Sequence, residues 1–376
     1  MKYYIIAGEA SGDLHGSNLM KELLKEDHQA EFRFWGGDLM QNVGGTLVKH
    51  YKALAFMGFV EVLFNLKTIL SNISFCKKDI ENYKPDAIIF IDYPGFNLRI
   101  AAWAKQKNIQ THYYISPQIW AWKENRIKAI KRDVDQMYVI LPFEKSYYED
   151  KHQFNVHYVG HPLLDAISQR KEINETDFRA EFQLSDKPII ALLPGSRKQE
   201  ITKMLKNMLA IANDFPDFQF VIAGAPGQDF EVYAPFLKAK KVTYVPNRTY
   251  DLLSVSNAAL VTSGTATLET ALFNVPEVVC YKGNRISYEI GKRIINLKFI
   301  SLVNLIIDKE VVKELIQHNF TQKTLKAELH KITNTSARNN MLAEYKKLKE
   351  LLGSGGASKR TAQLIYTKTK EFKNVK

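Results

Sequence analysis

Short apolar runs alternate with helix-type stretches along most of this chain, and the rhythm occurs twice. Residues 2–7, 87–91, 111–115, 136–140 and 157–159 read as buried strands. The stretch AISQRKEINETDFRAEFQLSDKP, residues 166–188, then turns polar. Strands resume at 189–193, 218–223, 242–245, 259–262 and 277–281. Alternating strand and helix builds parallel sheets with helices on both faces. Two such blocks make an α/β protein of two Rossmann-like domains facing a cleft. The expected boundaries are 1–165 for the first domain, 166–187 for a linker and 188–352 for the second. Residues 353–376 form a Gly/Ser hinge and a last helix, which either docks back on the first domain or exchanges between protomers.

Composition excludes several classes. Cys76 and Cys280 lie far apart, without the spacing of a metal site or a disulfide framework, which suits a reducing cytoplasm. No signal peptide is read, and no apolar run reaches the roughly 18 residues of a membrane span. The net charge is +12; residues 321–376 hold 13 Lys and Arg against 4 Glu, which accounts for +9 of it. A basic surface suits nucleic acid, an anionic membrane or an anionic substrate. The most apolar stretch, 54–78, reads either as a core helix or as a lysine-flanked surface resting in a lipid interface. Phe56, Met57, Phe59, Val60, Leu63 and Phe64 are among its apolar side chains, with Lys67, Lys77 and Lys78 nearby.

The loops after the strands carry the chemistry. GEASGDLHG, from Gly8 to Gly16, matches neither the dinucleotide glycine spacing nor a phosphate loop. With a helix expected only from 17 to 25, it reads as an open loop at the ligand-binding edge of a sheet. Glu9, Ser11, Gly12 and Asp13 are its candidate sugar contacts. In IDYPGFN, Asp92 ends an apolar strand, where its carboxylate either deprotonates an acceptor hydroxyl or caps the next helix; Asn97 is a polar neighbour. In LLPGSRKQEI, Gly195, Ser196 and Arg197 open a helix and suit a phosphate or diphosphate, although Glu200 is available to pair with Arg197. In VTSGTATLET, Ser263, Gly264 and Thr265 open another helix, which Thr265 or Thr267 can cap. Glu269, one turn further, suits two ribose hydroxyls. His161, in GHP, is a candidate ligand to donor phosphate or sugar. In SPQIWAWKENR, Trp120 and Trp122 precede a basic run and read as a base stack, a lipid contact or packing. Asp133-Val134-Asp135 sits in a basic setting and is not read as a metal site.

Together GEASGDLHG, MGFVEVL, IDYPGFN, SPQIWAW, LPFEK, VGHPLLD, LLPGSRKQEI and TSGTATLET resemble the lipid-A-disaccharide synthases, inverting glycosyltransferases of the GT-B type. The chain departs from their usual pattern at Gly95, where an acid is common, and at Leu302-Val303-Asn304, where Leu-Pro-Asn is common. The resemblance implies a UDP-2,3-diacylglucosamine donor, a 2,3-diacylglucosamine 1-phosphate acceptor, and a β-1,6 disaccharide 1-phosphate and UDP as products. It implies Asp92 as general base, Arg197 and helix N-termini holding the departing UDP, Glu269 on ribose and Asn304 at the donor site. No metal or other cofactor is implied, and no nucleic acid. The expected setting is the cytoplasmic face of a Gram-negative inner membrane, bound peripherally, with a homodimer among the possible assemblies. Two rivals share part of the pattern. A UDP-N-acetylglucosamine 2-epimerase has no use for the apolar stretch at 54–78. A basic membrane or RNA binder leaves the two ligand-type loops and Asp92 unexplained.

Overall fold

A computed structural model describes residues 1–54, 66–237, 242–283 and 297–375. The chain divides into two compact units: Met1–Ser168 with Ser354–Lys376, and Gln169–Gly353.

In the first unit the strands are β1 (Lys2–Ala7), β2 (Glu31–Gly36), β3 (Thr46–His50), β4 (Ala87–Ile91), β5 (Gln110–Tyr114), β6 (Gln136–Val139) and β7 (His157–Tyr158). They form one parallel sheet in the order β3-β2-β1-β4-β5-β6-β7. The central β4 and β5 are buried along their whole length. A parallel strand covered on both faces reads as a continuous run rather than an alternation. The second unit has β8 (Ile189–Leu193), β9 (Gln219–Gly224), β10 (Thr243–Pro246), β11 (Ser256–Thr262), β12 (Glu277–Tyr281) and β13 (Lys313–Ile316), in the order β10-β9-β8-β11-β12-β13. It too is parallel. Strands β2, β3 and β13 have no counterpart in the sequence reading. β2 is interrupted by Glu31 and Arg33, and β3 and β13 are half-exposed with polar residues interleaved, so none gives the continuous apolar signal.

In each sheet the strand order reverses once, between β1 and β4 and between β8 and β11. Open α/β sheets bind ligands at that point, beyond the carboxyl ends of the strands. Register fixes what lies there. Ala7 pairs with Ile91, so Gly8 and Asp92 are the next residues on adjacent strands. Val261 pairs with Leu193, which brings the PGSR and SGT turns together in the same way.

The opening loop differs from its sequence reading. Helix Ala10–Glu26 begins directly after Glu9, so Gly12 and Gly16 are helical rather than parts of an open loop. Their glycines serve close packing. A Cβ at Gly12 would stand 3.1 Å from the Ala7 Cβ, and one at Gly16 would stand 2.6 Å from the Met40 sulfur.

Of the apolar stretch 54–78, residues 55–65 lie outside the described residues, and with them Phe56, Met57, Phe59, Val60, Leu63 and Phe64. Helix Leu66–Tyr83 follows. It buries Ile73, Cys76 and Ile80 while Leu70 and Phe75 stay exposed. Asp79 fastens it to the sheet, accepting hydrogen bonds from the Arg33 guanidinium (2.6 and 2.8 Å) and the Tyr4 hydroxyl (2.7 Å). Among the described residues no helix is long and apolar enough to cross a membrane.

The basic tail is shared between the units. Helices Gln322–Thr333 and Thr335–Leu352 belong to the second, burying Leu325, Leu329, Ile332 and Tyr345. Helix Ala357–Val375 returns to the first unit and packs on helix Ala10–Glu26. There Thr369 meets the buried His112 (3.1 Å) and Lys373 pairs with Asp86 (2.7 Å).

Candidate active site

Asp92 follows β4 in left-handed backbone, φ +46°, and Tyr93 after it has φ +49°. Two consecutive non-glycine residues in that region are costly and persist only where surroundings over-determine them. The surroundings do so here. The Asp92 N–H donates to the Tyr114 carbonyl (3.1 Å). Its own carbonyl accepts from the Asn97 amide (2.7 Å) and the Tyr113 hydroxyl (2.6 Å). Pro94 then opens helix Pro94–Gln106. The Asp92 side chain does not cap that helix. Burial, and then the nearby charge of Glu9, push its carboxyl up to about 7; Glu144 adds to the rise, and the Tyr93 N–H opposes it. A carboxylate poised near neutrality suits general base work.

Glu144, in LPFEK, received no role from sequence. It is buried and accepts four hydrogen bonds, from Ser116 (2.6 Å), Trp120 (3.1 Å) and the N–H groups of Ile140 and Leu141 (3.0 and 2.9 Å). It ties the SPQIWAW segment to the end of β6. The signal that marks it is a lone acid after an apolar strand, Gln136–Val139, the same signal that marks Asp92.

The residues proposed around Asp92 separate into two groups. Glu9 is half-buried and Ser11 exposed, at the first turn of helix Ala10–Glu26. Gly12, Asp13 and Asn97 belong to the framework instead. Asp13 is buried and accepts from the N–H groups of Gly37 (2.8 Å), Leu39 (3.0 Å) and Met40 (3.0 Å). Helix Asp38–Val43 is thereby capped by a carboxylate 25 residues before it in sequence. Asn97 is wholly buried, with its amide on the backbone at the end of β4.

His161 lies buried in the first unit, and its Nδ1 accepts from the Leu163 N–H (3.2 Å). Burial, and then neighbouring His15, pull its pKa down to about 3. The neutral imidazole carries no charge to offer a phosphate and keeps one N–H donor, at Nε2. The VGHPLLD segment is the socket for the terminal helix. Arg360 donates to the Val159 carbonyl (2.7 and 2.9 Å), and a Cβ at Gly160 would stand 2.7 Å from its guanidinium. Asp165 accepts from the N–H groups of Gly356 and Ser358 where that helix begins.

In the second unit, β8 ends at Leu193 and helix Lys198–Met208 starts after Arg197. Gly195 turns the chain with φ +105°, Ser196 and Arg197 are exposed, and the Arg197 guanidinium meets Glu200 at 3.1 Å. An exposed pair of this kind is worth little. Across the strand gap, Gly264 and Thr265 are exposed at the start of helix Thr265–Leu272. A Cβ at Gly264 would meet no atom within 4 Å. No side chain caps this helix: the buried Thr267 hydroxyl donates to the Gly264 carbonyl (2.9 Å), so neither threonine fills the expected cap. Ser263 donates to the Ile300 carbonyl (2.8 Å). Glu269 is half-buried and accepts from the Tyr250 hydroxyl (2.8 Å); burial raises its pKa, and that hydrogen bond opposes the rise.

Asn304 holds the segment beside this turn together and has no capacity left for a ligand. Its amide donates to the Val312 carbonyl and to Glu314 (2.9 Å each), and its oxygen accepts from the Val311 and Val312 N–H groups (2.7 and 2.9 Å). Two donors and two lone pairs are all that an asparagine side chain offers. Glu314 in turn accepts from the N–H groups of Ile300 and Ser301. Asp133 and Asp135 face Arg132 (2.7 Å) and Lys105 (2.5 Å). Among the described residues no group of three or more His, Cys, Asp or Glu is placed to hold a metal ion.

Known proteins agree with this architecture. A UDP-GlcNAc 2-epimerase from Neisseria meningitidis bound to UDP-GlcNAc superposes with a TM-score of 0.70 at 14% identity, covering 98% of this chain and all of that one. A glycotransferase of kitacinnamycin gives 0.63 at 12% identity, covering 97% and 98%. At such identities the likeness concerns fold alone. Sequence goes further. The lipid-A-disaccharide synthase of Syntrophus aciditrophicus is 39% identical over 376 residues, 98% of this chain and 97% of its own. That of Geobacter metallireducens is 38% identical over 369 residues, 96% and 95%. The family description for lipid-A-disaccharide synthetase matches residues 3–366, so this chain belongs to the lipid-A-disaccharide synthase family.

Proposed function

We propose that this glycosyltransferase moves a 2,3-diacylglucosaminyl group from UDP to the 6-hydroxyl of 2,3-diacylglucosamine 1-phosphate. The products are the β-1,6 disaccharide 1-phosphate and UDP. Asp92 carries the reading: a carboxyl with a pKa near 7, held in strained backbone where the first sheet reverses order. As carboxylate it takes the 6-hydroxyl proton, and the oxygen forms the new bond to the anomeric carbon. The bond to UDP breaks with its electron pair on the diphosphate. Attack from the face opposite UDP inverts the configuration. The second unit holds UDP, with the diphosphate on Arg197 and the free N–H groups at Ser196 and Thr265, and the ribose on Glu269. Charge on the leaving diphosphate is met by those donors.

Both substrates carry acyl chains, which supports a peripheral position on the cytoplasmic face of the inner membrane, with residues 54–78 and basic side chains as contacts.

The test is UDP release from the acylated donor, with and without the acylated acceptor phosphate. Asp92→Asn is expected to keep UDP affinity and lower turnover by roughly 10²–10⁴. Near-normal turnover in that variant removes Asp92 from the mechanism, and release without acceptor contradicts transfer.

A further inference from the structure

The two tryptophans of SPQIWAW have different fates. Trp120 is framework: its ring meets Phe143 edge-on at 5.0 Å and its N–H donates to Glu144. Trp122 is 43% exposed and gathers cations. The Lys123 ammonium stands 4.1 Å from its ring centroid and the Arg126 guanidinium 5.6 Å from it. Neither makes an ion pair with a carboxylate among the described residues. The one acid between them, Glu124, is turned away onto Lys151 (2.5 Å) and His152 (3.1 Å). The two cations therefore press on each other, and Arg99, from helix Pro94–Gln106, presses on Arg126 as well. Arg126 also lies within electrostatic reach of Tyr113, whose hydroxyl holds the Asp92 carbonyl at 2.6 Å. Like charges held together beside a general base, with the local acid committed elsewhere, await an anion.

We infer that Lys123 and Arg126, gathered on the exposed Trp122 indole, bind the phosphomonoester of the acceptor sugar. This rests on the reaction proposed above and assigns it a subsite. The Arg126 guanidinium offers a fork of donors to two phosphate oxygens, Lys123 a point charge, and the indole an apolar face for the adjoining sugar. A phosphate on an anionic lipid headgroup has the same chemistry, and the experiment separates the two sources.

The experiment measures UDP release in neutral detergent micelles with two acceptors, 2,3-diacylglucosamine 1-phosphate and 2,3-diacylglucosamine. For the unaltered protein, loss of the phosphate is expected to raise the acceptor KM by roughly tenfold to a hundredfold. For Lys123→Gln/Arg126→Gln the two acceptors are expected to differ by less than about threefold, and Arg126→Lys keeps part of the preference. Melting temperature and UDP affinity report whether the variants fold. An unaltered protein that ignores the phosphate overturns the inference, as does a variant that loses both acceptors in proportion. A variant that keeps its acceptor preference but releases phosphatidylglycerol vesicles assigns the cations to the membrane and overturns it too. No UDP release from the donor with either acylated acceptor in the unaltered protein is a different result and defeats the reaction itself.

Discussion

A methyl group at Gly8 would lie 2.4 Å from Cγ of Tyr93. The first glycine of the chain thus makes room for the ring that follows Asp92, and the turns after β1 and β4 are built against each other. Tyr93 stacks in turn on Phe96, with ring centroids 5.6 Å apart. Gly8→Ala is expected to displace Tyr93, and with it the left-handed turn at Asp92. Overpacking of this kind costs roughly 1–3 kcal/mol. Turnover should fall while UDP affinity stays, measured by UDP release and by calorimetry. A variant of normal turnover shows that the turn adapts.

Asp92 gives a pH dependence with a defined sign. Its folded-state pKa, about 7, is above the ordinary 3.8. The folded state therefore disfavours the ionised form. The stability tied to this group is fully present below pH 4 and is lost as pH rises through 7. Activity runs the other way, since the base acts as carboxylate, so kcat/KM rises through pH 7. Asp92→Asn is expected to be the more stable protein at pH 8, with the gap closing toward pH 4. Denaturant unfolding at the two pH values checks this; a gap that does not change with pH rejects the raised pKa.

Arg197 and Glu200 pair across one helical turn, on an exposed surface. Removing a charge-assisted contact costs about 1.5–3 kcal/mol. Arg197→Ala should therefore weaken UDP binding roughly ten- to hundredfold. Glu200→Gln, which removes the Glu200 charge from the guanidinium, should bind UDP at least as tightly as the unaltered protein. Calorimetry on both variants is decisive, and unchanged affinity in Arg197→Ala ends the phosphate assignment.

Asn304→Ala removes four hydrogen bonds and leaves Glu314 short of a buried donor. Each buried group left unsatisfied costs about 1–3 kcal/mol, so the second unit should melt earlier by several degrees. If the variant instead melts normally but loses UDP, Asn304 is a contact after all.

Binding to anionic vesicles should weaken as salt rises, because exposed charges are screened over about 10 Å at 0.1 M. Replacing Phe56, Met57 and Phe64 by Ser should reduce vesicle binding and leave UDP binding intact. A folded triple variant that binds vesicles as tightly as before moves the contact to the basic side chains.

Sequence alone determined the two α/β blocks, because a strand buried on both faces is commonly apolar throughout, as β4 and β8 are. It also marked Asp92, PGSR and SGT, since the end of a strand and the start of a helix are local events written in a few adjacent residues. Tertiary structure decided the fate of the other polar residues in those motifs. Asp13, Asn97, His161 and Asn304 look as available as Glu9 or Ser11 when read along the chain. A polar side chain serves whichever backbone group packing brings within about 3 Å of it. For Asp13 that group is 24 to 27 residues away, and for Asp165 it is 191 to 193. Helix Ala10–Glu26 shows the same limit. Its glycines argue for a loop on local propensity, and the close approach of this helix to β1 at Ala7 and to helix Asp38–Val43 at Met40 overrides them.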